Sequence, residues 1–153
     1  MEIHENCIAH LDRFVELNER WVREHFEPED ADRKLASAPE SVIRAGGIVL
    51  TATEGDTVVG ACALFRESAE VYELARMAVD PPYQRRGIAR LLAERALTRA
   101  RELEARKVVL LSNTALEAAM ALYRSLGFTV VGEGPHPVYS RCNVVMELRL
   151  DTK

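Results

Sequence analysis

A run that alternates strand and helix between residues 71 and 126 constrains the fold more than any other feature of the chain. Its predicted elements are, in order, a strand at Val71–Val79, a helix after Gly87 to about Arg106, a short strand at Val108–Leu111 and a helix at Leu116–Leu126. Asp80-Pro81-Pro82 ends the first strand because proline cannot continue a ladder, and Gly127 suits the position just after a helix. The second strand is apolar throughout, which is typical of a central strand. This order predicts a mixed α/β layer architecture.

The segments on either side of this run add further helices and strands. They are predicted as a helix at about Ile8–His25 that Pro28 stops, a polar stretch Glu29–Arg44 with a short helix and a loop, a hairpin of strands Ile48–Thr53 and Thr57–Phe65, and two late strands at Phe128–Val131 and Asn143–Leu150. The chain has 153 residues, about the length of one domain, and we find no repeat and no linker that would divide it. We therefore predict a single domain over residues 1–153.

Charge, hydropathy and cysteine usage disfavour several classes of protein. A formal net charge of −4 argues against a dedicated nucleic-acid binder, which usually carries a net basic face. No apolar stretch approaches the roughly 18 residues that span a membrane, and the N-terminus MEIHENC does not read as a secretory signal. Cys7, Cys62 and Cys142 are odd in number and widely spaced, which predicts free thiols in a reducing cytoplasm rather than a disulfide framework or a metal site.

The segment Gln84-Arg85-Arg86-Gly87-Ile88-Ala89 is the most informative stretch, because it joins a buried strand to the start of a helix. The first N–H groups of a helix have no partner within the helix, and the helix dipole adds partial positive charge, so such a turn can bind an anion. Gly87 lets the backbone approach a phosphate, and Arg85, Arg86 and Arg90 add positive charge. Neither GxxxxGK[ST] nor GxGxxG is present. The spacing alone fits an ordinary basic turn equally well.

Three linked segments resemble a known family, the GNAT superfamily of Gcn5-related N-acetyltransferases. Residues 84–89 are similar to its [RQ]-x-x-G-x-[GA] motif, and Glu73–Pro81 is similar to the strand that precedes this motif. The block that follows the motif in the family is matched by Leu111, Ser112, Asn113, Ala118, Ala121, Leu122, Tyr123, Leu126, Gly127 and Phe128. The resemblance runs from about Gly47 to Val131 and more loosely to Leu150. Many members have glycine where this chain has Ala89.

The resemblance implies a central mixed sheet flanked by helices, in which two parallel strands, Val71–Val79 and Val108–Leu111, splay apart to hold the cofactor. The implied activity moves an acetyl group from acetyl-CoA to a primary amine of a small molecule or a protein, by direct attack in a ternary complex. The implied cofactor-binding residues are Met77, Ala78 and Val79 along the pantetheine arm, Gln84, Arg85, Arg86, Gly87, Ile88 and Ala89 in the pyrophosphate loop, and Asn113 beside the pantetheine. Dimers are frequent in the family, so the resemblance also allows a homodimer.

Tyr123 is the first of two candidate catalytic residues. It falls on an apolar stripe of a helix, and periodicity alone indicates a core tyrosine; the stripe contains Leu116, Ala119, Met120 and Leu126. By resemblance, Tyr123 matches the tyrosine that protonates the departing CoA thiolate. A phenol with a pKa of about 10 can donate a proton to a thiolate whose conjugate acid has a pKa of about 8.5. A positioned acid or base contributes about 10²–10⁴-fold in rate.

Glu73 is the second candidate, as the general base that takes a proton from the acceptor ammonium. It stands eleven residues before Gln84, and by resemblance it matches the glutamate that serves as the base in the histone-acetylating branch of the family. The residues alone leave two other interpretations, a strand-end carboxylate that faces water or one that pairs with Arg76. A water chain is the alternative to a carboxylate base.

Several further residues keep more than one interpretation. Asn113 could cap the helix predicted from Leu116, and Arg76 could be an ion-pair partner or an anchor for an acceptor carboxylate. A run of acidic side chains indicates either a solvated face or an attraction for a cationic amine: Glu24, Glu27, Glu29, Asp30 and Asp32. His136 and Tyr139, in a proline-rich loop, are candidates for the border of the acceptor pocket.

Two functions of other classes compete with an acetyltransferase. A non-catalytic CoA-binding regulatory module would keep the phosphate loop but would not need Tyr123 and Glu73. An RNA-directed partner of ribosomes is disfavoured by the acidic net charge.

Overall fold

The computed structural model describes residues 1–136 and 140–150, which contain seven strands and five α-helices. The strands are β1 Glu2–Glu5, β2 Ile48–Glu54, β3 Thr57–Arg66, β4 Val71–Val79, β5 Lys107–Ser112, β6 Thr129–Glu133 and β7 Val144–Arg149. The helices are α1 Leu11–His25, α2 Asp30–Ser37, α3 Ser41–Arg44, α4 Ile88–Glu102 and α5 Glu117–Ser125. Two short 3₁₀ turns lie at Ile8–His10 and Pro81–Tyr83. The predicted α/β class is confirmed.

The seven strands form one mixed sheet in the order β1-β2-β3-β4-β5-β7-β6. β4 and β5 pair in parallel, whereas the other neighbours in this order pair antiparallel. A parallel pair needs a crossover connection, and the segment between β4 and β5 that contains α4 supplies it. The apolar strand at Val108–Leu111 is central as predicted, since β5 has β4 on one side and β7 on the other.

β1 is an element that the sequence pattern does not reveal. Its four residues form a strand because they pair with β2. Asn6 then fastens the end of this pair: its N–H donates to the Val49 oxygen at 2.8 Å, and its Oδ1 accepts from the Val49 N–H at 2.9 Å. The helix predicted from Ile8 begins later, because Ile8–His10 is a 3₁₀ turn and α1 starts at Leu11.

The helices α2, α3 and α4 also differ from the prediction. The polar stretch Glu29–Arg44 contains two short helices, α2 and α3, rather than one. α4 ends at Glu102 and not near Arg106. Glu104 takes a left-handed φ of 62°, and the Ala105 N–H bonds to the carbonyl of Ala100 at 3.0 Å, which closes the helix. Glycine usually occupies such a position, so the sequence carries no stop signal there.

Two hydrophobic clusters lie on opposite faces of the sheet. α4 covers one face, where Leu92 packs with strand residues such as Leu50. α1 covers the other face, where Phe14 and Leu17 pack with Val49 and its neighbours. Val49 and Leu50 are adjacent in sequence yet belong to different clusters, because successive side chains of a strand point to opposite faces. Burying a side chain of this size contributes about 1.5–3 kcal/mol, so packing on both faces stabilises the sheet.

Close packing between β3 and α4 determines where α4 begins. Gly60 of β3 lies beneath the first turn of α4, and a Cβ atom there would come within 2.9 Å of the Ile88 side chain and 3.3 Å of Leu92. Both of these side chains are buried. Gly60 pairs with Val79, the last residue of β4. The absence of a side chain therefore lets the start of α4 lie against the C-terminal end of β4.

The parallel strands β4 and β5 pair over three residues each and then separate. Val71–Glu73 pairs with Lys107–Val109, and within the described chain the residues of β4 from Leu74 onward have no register partner on β5. The splayed pair of parallel strands that the resemblance predicts is confirmed. A strand edge without a neighbour presents backbone N–H and C=O groups that need another partner.

A bulge interrupts β4 just past this separation. Ala75 pairs with Ala63 and Ala78 pairs with Ala61, so two residues of β4 lie opposite one residue of β3. Arg76 is one of the two and has a left-handed φ of 60°. Bulges bend a strand and re-aim its side chains, and this one lies in the stretch that has left β5.

Candidate active site

The gap between β4 and β5 opens into a cleft of about 750 Å³. Its walls are β4 from Glu73 to Val79, the turn into α4, the end of β5 and the first turns of α5. The end of α1 and the segment before β7 complete the lining. Sites for small molecules commonly have volumes of about 300–1,000 Å³. All of the predicted catalytic and cofactor-binding residues line this cleft except Arg86.

The turn into α4 brings backbone N–H groups to the cleft. Gly87 immediately precedes the helix with a left-handed φ of 81°, and Arg85 is also left-handed, at 65°. A Cβ on Gly87 would meet no protein atom within 4 Å, so glycine is needed for its backbone conformation and the position faces open space. The N–H groups of Ile88 and Ala89 lie in the first turn, where an α-helix supplies no acceptor.

The three arginines predicted to add positive charge are placed differently from one another. Arg85 lines the cleft. Arg86 lies over the Tyr83 ring, with its guanidinium carbon 5.1 Å from the ring centre. Arg90 also lines the cleft and donates a hydrogen bond of 2.6 Å to Ser125 Oγ. Arg90 therefore links α4 to α5, the two helices on either side of the cleft.

Gln84 ties the turn to the end of β4. Its Nε2 donates to the Val79 carbonyl oxygen at 3.1 Å, so this side-chain nitrogen serves the protein's own backbone. Met77, Ala78 and Val79 line the cleft along the part of β4 that has left β5. The pairing of these residues with a pantetheine arm stays a prediction.

Tyr123 lies on α5 with its ring set edge-on to Phe128, and the ring centres are 6.0 Å apart. It is half-buried, lines the cleft and packs against the cluster that α4 covers. Burial raises the pKa of the Tyr123 hydroxyl to about 12, and the nearby Cys62 thiol adds to the rise. The phenol therefore keeps its proton at neutral pH. Tyr123 thus combines the core packing that periodicity indicates with a position in the cleft wall.

Glu73 is the last residue of β4 that pairs with β5, opposite Val109, and its half-buried side chain lines the cleft. Burial raises the pKa of its carboxyl to about 8; a hydrogen bond with Glu67 and the charge of Glu67 add to the rise, and the charge of Arg76 opposes it. Arg76 forms an ion pair with Asp32, and its charge also acts on Glu73, whose pKa it lowers. A carboxyl with a pKa near neutrality suits a general base.

Asn113 organises the turn between β5 and α5. Its Oδ1 accepts a hydrogen bond from the Ala115 N–H at 2.8 Å, and its Nδ2 donates to the Arg141 carbonyl at 2.7 Å. The predicted helix cap is wrong, because α5 begins at Glu117 and the residue before it makes no side-chain cap. Asn113 instead forms an Asx turn and holds the segment before β7. Its contact with pantetheine stays a prediction.

A buried ion-pair network joins α2 to β4 and to the segment before β7. Asp32 of α2 binds Arg76, and Arg141 binds the same carboxylate through two hydrogen bonds of 2.7 Å. Arg76 also donates to Asn18 Oδ1 at 3.1 Å. Burial alone would raise the pKa of Asp32, but hydrogen bonds from Arg141, the Glu29 backbone and Arg76 hold it well below its usual range. The acceptor-anchor interpretation of Arg76 thus gives way to the ion-pair interpretation.

The interpretation of the acidic segment as a solvated face is wrong for Asp32, whose side chain is 6% exposed. Three of its neighbours are exposed as predicted: Glu24, Glu27 and Asp30. Glu29 is half-buried, and its N–H donates to Asp32 Oδ2 at 2.8 Å at the start of α2. Capping at this three-residue spacing is a helix-start signal, and it could have located α2 from the sequence.

The C-terminal end of α1 contributes an aromatic wall to the cleft. Trp21 stacks on His25 with ring centres 4.8 Å apart and lies 5.9 Å from Phe26, and all three residues line the cleft. Helical periodicity places Trp21 on α1 but does not indicate this role. Of the two predicted border residues, His136 is not among the described residues that line the cleft, and Tyr139 lies outside the described residues.

The three cysteines are free thiols, as predicted. Burial raises the pKa of the Cys62 thiol to about 12, and burial also raises the pKa of Cys142. In the described part of the chain, no group of three or more His, Cys, Asp or Glu side chains is placed to hold a metal ion. The helices described there are also too short or too polar to cross a membrane.

Comparison with known proteins places this geometry in a family. The sequence model of the acetyltransferase (GNAT) family matches residues 11–128, which confirms the resemblance drawn from the motifs. The N-alpha-acetyltransferase RimI of Mycobacterium tuberculosis is 42% identical over 84 residues, which cover 53% of this chain and 51% of that protein. The match therefore spans about half the length of this relative.

Solved structures share the fold over nearly the whole chain. An acetyltransferase of the GNAT family from Staphylococcus aureus Mu50 has a TM-score of 0.85 at 18% identity, covering 98% of this chain and 99% of that one. The structure of yncA from Salmonella typhimurium, solved with its cofactor acetyl-CoA, has a TM-score of 0.79 at 25% identity, covering 100% of this chain and 95% of that one. Because the family match takes in well over half of the sequence, the chain belongs to the acetyltransferase (GNAT) family.

Proposed function

We propose that the chain is an acetyl-CoA-dependent N-acetyltransferase that acts on a primary amine of a small molecule or a protein. The observation that carries the proposal is the cleft at the fork of β4 and β5, which brings together the start of α4, Tyr123 and Glu73. These features come from three separate parts of the sequence, and each has a role in one reaction. The amine attacks the thioester directly in a ternary complex, and residues 1–153 act as one domain.

The cleft has features that fit an acyl-CoA. The N–H groups of Ile88 and Ala89 at the helix start, next to Gly87 and Arg85, suit a diphosphate. The edge of β4 that has left β5 suits the amides of a pantetheine arm, which can add to it as a strand does. Acetyl-CoA bound in this way supplies a thioester carbon for the amine and a thiolate leaving group. The Salmonella relative solved with acetyl-CoA supports this assignment.

Glu73 takes a proton from the acceptor in the proposed reaction. An alkyl ammonium has no free electron pair, so it must lose a proton before its nitrogen can attack. The Glu73 carboxyl lies in the cleft wall, and its pKa of about 8 is close to the pH at which a base must work in a cell. Tyr123 supplies the proton for the leaving sulfur, because its phenol stays protonated at neutral pH.

The remaining predicted residues support the cofactor wall in this proposal. Gln84 holds the turn against the end of β4, and Asn113 holds the turn before α5. Arg86 acts through its charge beside the diphosphate, since it lies over Tyr83 and does not line the cleft.

Two measurements test the proposed function. Isothermal titration calorimetry of the full chain with acetyl-CoA should show saturable binding. A thiol-release assay with acetyl-CoA and a panel of primary amines should show CoA release that depends on the amine; the panel would contain amino acid amides, polyamines and short peptides with free N-termini. Binding without release for any amine would favour the non-catalytic module, and an absence of saturable binding would contradict both functions.

A further inference from the structure

We propose that Glu67 is a positioning residue for Glu73, holding its carboxyl in the cleft wall and setting the pH range in which it accepts a proton. The inference rests on the proposed role of Glu73 as the general base. It adds a residue that the sequence motifs do not indicate, because Glu67 lies before β4, in the turn that joins it to β3.

The strand register places the two carboxyl groups on the same face of the sheet. Phe65 of β3 pairs directly with Glu73 of β4. Glu67 lies two residues past Phe65, and its N–H donates to the Val71 oxygen at 3.0 Å, which continues the pairing into the turn. Side chains two residues apart on a strand share a face, so Glu67 is the diagonal neighbour of Glu73. Long side chains span this diagonal, and Glu67 raises the pKa of the Glu73 carboxyl, both as a hydrogen-bond partner and through its charge.

The two members of this pair have different surroundings. Glu73 is half-buried in the cleft wall, whereas Glu67 is exposed to solvent. Two adjacent carboxyls resist ionising together because their negative charges repel, so one of them holds a proton to higher pH than usual. The buried member is the one that loses more from ionisation, and the proton therefore resides on Glu73.

This arrangement makes Glu73 a stronger base than an isolated carboxylate. When the acceptor ammonium gives up its proton, an N–H bond breaks and an O–H bond forms on Glu73, and the nitrogen keeps the electron pair with which it attacks. The new O–H group donates to the Glu67 carboxylate, which stabilises the protonated form. Glu73 later releases this proton to water, and its carboxylate is restored.

Charged and titratable groups from all the elements packed around Glu73 could influence it. Glu67 and Arg76 act on Glu73 directly, and Cys142 interacts with its charge. The neighbouring elements also carry Asp32 on α2, Lys107 on β5, Glu147 on β7, Arg141 before β7 and, in the same cleft lining, His25 of α1. The cations in this set are held in ion pairs with carboxylates of neighbouring elements. Glu67, by contrast, raises the pKa of Glu73 through both hydrogen bonding and its charge, so among these groups it has the largest effect on Glu73.

The test is a pH titration of the full chain by ¹³C NMR, with glutamate labelled at the side-chain carboxyl. The Glu73 resonance is assigned by its loss in Glu73→Gln. Glu67→Gln keeps the size of the side chain and removes its charge. In this variant the pH midpoint of the Glu73 titration should fall by about one pH unit. Glu67→Asp keeps the charge and should give a midpoint between that of the wild type and that of Glu67→Gln.

Glu70→Gln is the matched control, because Glu70 lies in the same turn, is exposed and faces Arg106 at 3.6 Å. Removing the charge of Glu70 should leave the titration midpoint of Glu73 unchanged. An unchanged midpoint in Glu67→Gln would overturn the inference, and so would an equal fall in Glu70→Gln, since that would reflect surface charge in general.

The NMR readout requires no acceptor and no turnover, so it separates this inference from the proposed function. A midpoint that falls in Glu67→Gln supports the positioning role even if no amine is acetylated, in which case the proposed function fails alone. Once an acceptor is identified, kcat/KM can be measured against pH. The acidic limb of that pH profile should shift in Glu67→Gln by the same amount as the titration midpoint of Glu73. A limb that stays in place while the midpoint moves would show that Glu73 is not the base and would overturn the catalytic part of the inference.

Discussion

Arg141 and Asp32 form a bidentate ion pair, with two hydrogen bonds of 2.7 Å, that joins the segment before β7 to α2. The same carboxylate binds Arg76 in the bulge of β4. One side chain therefore ties together three elements, and both of its arginine partners line the cleft. Removing one partner of a buried pair leaves the other charge uncompensated, so Asp32 is a sensitive point for stability.

Asp32→Asn should lower the free energy of unfolding by about 3–5 kcal/mol, because it leaves two mostly buried guanidinium groups without their shared carboxylate. Urea unfolding at neutral pH would measure the change. Asp30→Asn is the matched control on the same helix, since Asp30 is exposed and its partner Arg33 is exposed too, and it should have little effect. A similar loss in both variants would contradict the special role of Asp32.

The stability of the chain should fall in acid partly through Asp32. The pKa of this carboxyl in the folded chain lies below the value of about 3.9 expected in the unfolded chain. Its stabilising effect is therefore complete above that value and is lost as the pH falls towards the folded pKa. Unfolding free energies measured from pH 7 down to about pH 3 should decline more steeply for the wild type than for Asp32→Asn. Parallel curves would argue against this linkage.

Glu73 should have the opposite effect on stability. Its pKa rises from an ordinary 4.5 to about 8 in the folded chain, so between these values the folded state keeps a proton that the unfolded chain has lost. Stability should therefore fall as the pH rises through this window. Calorimetric Tm values across the window should decline less for Glu73→Gln than for the wild type, and equal slopes would refute the raised pKa.

Tyr123→Phe should lower kcat by roughly 10²-fold, because it removes the proton donor for the leaving sulfur. The affinity for acetyl-CoA should change little, since the ring and its packing against Phe128 remain. Tyr72→Phe is a useful control, because Tyr72 is a buried tyrosine of β4 that does not line the cleft. An unchanged kcat in Tyr123→Phe would remove this hydroxyl from the mechanism.

Gly87→Glu should abolish acetyl-CoA binding, because it places bulk and negative charge where the diphosphate is proposed to lie. Gly55→Glu provides a close match for backbone strain: both glycines have a left-handed φ, and a Cβ on either would meet no protein atom within 4 Å. Gly55 lies in the β2–β3 turn, outside the lining of the cleft. Calorimetry should therefore detect normal binding in Gly55→Glu. Normal affinity in Gly87→Glu would mean that the loop is misassigned.

Local signals explain why the central part of the fold and most of the site could be predicted. The Asp80-Pro81-Pro82 stop, the glycine before α4 and the apolar run of β5 each act within a few residues, and the motif residues from Glu73 to Tyr123 lie close together along the chain. Where such signals are missing, the prediction fails. The end of α4 is one case, because the left-handed residue that follows it, Glu104, is not a glycine, and its conformation is not apparent from its residue type.

The order of the elements from β4 to α5 and the turn that begins α4 follow from the sequence, since propensity, periodicity and turn chemistry act over short distances. The residues that face the cleft from β4 and α5 follow from the resemblance of the sequence motifs to the family. The partners of the charged residues follow from the folded chain alone. Asp32 meets Arg76 and Arg141 across 44 and 109 positions, and the placement of Glu67 beside Glu73 depends on the register of β3 and β4. An ion pair or a shared proton requires atoms to meet in space, and for residues far apart in sequence only the packing of helices against the sheet determines which of them meet.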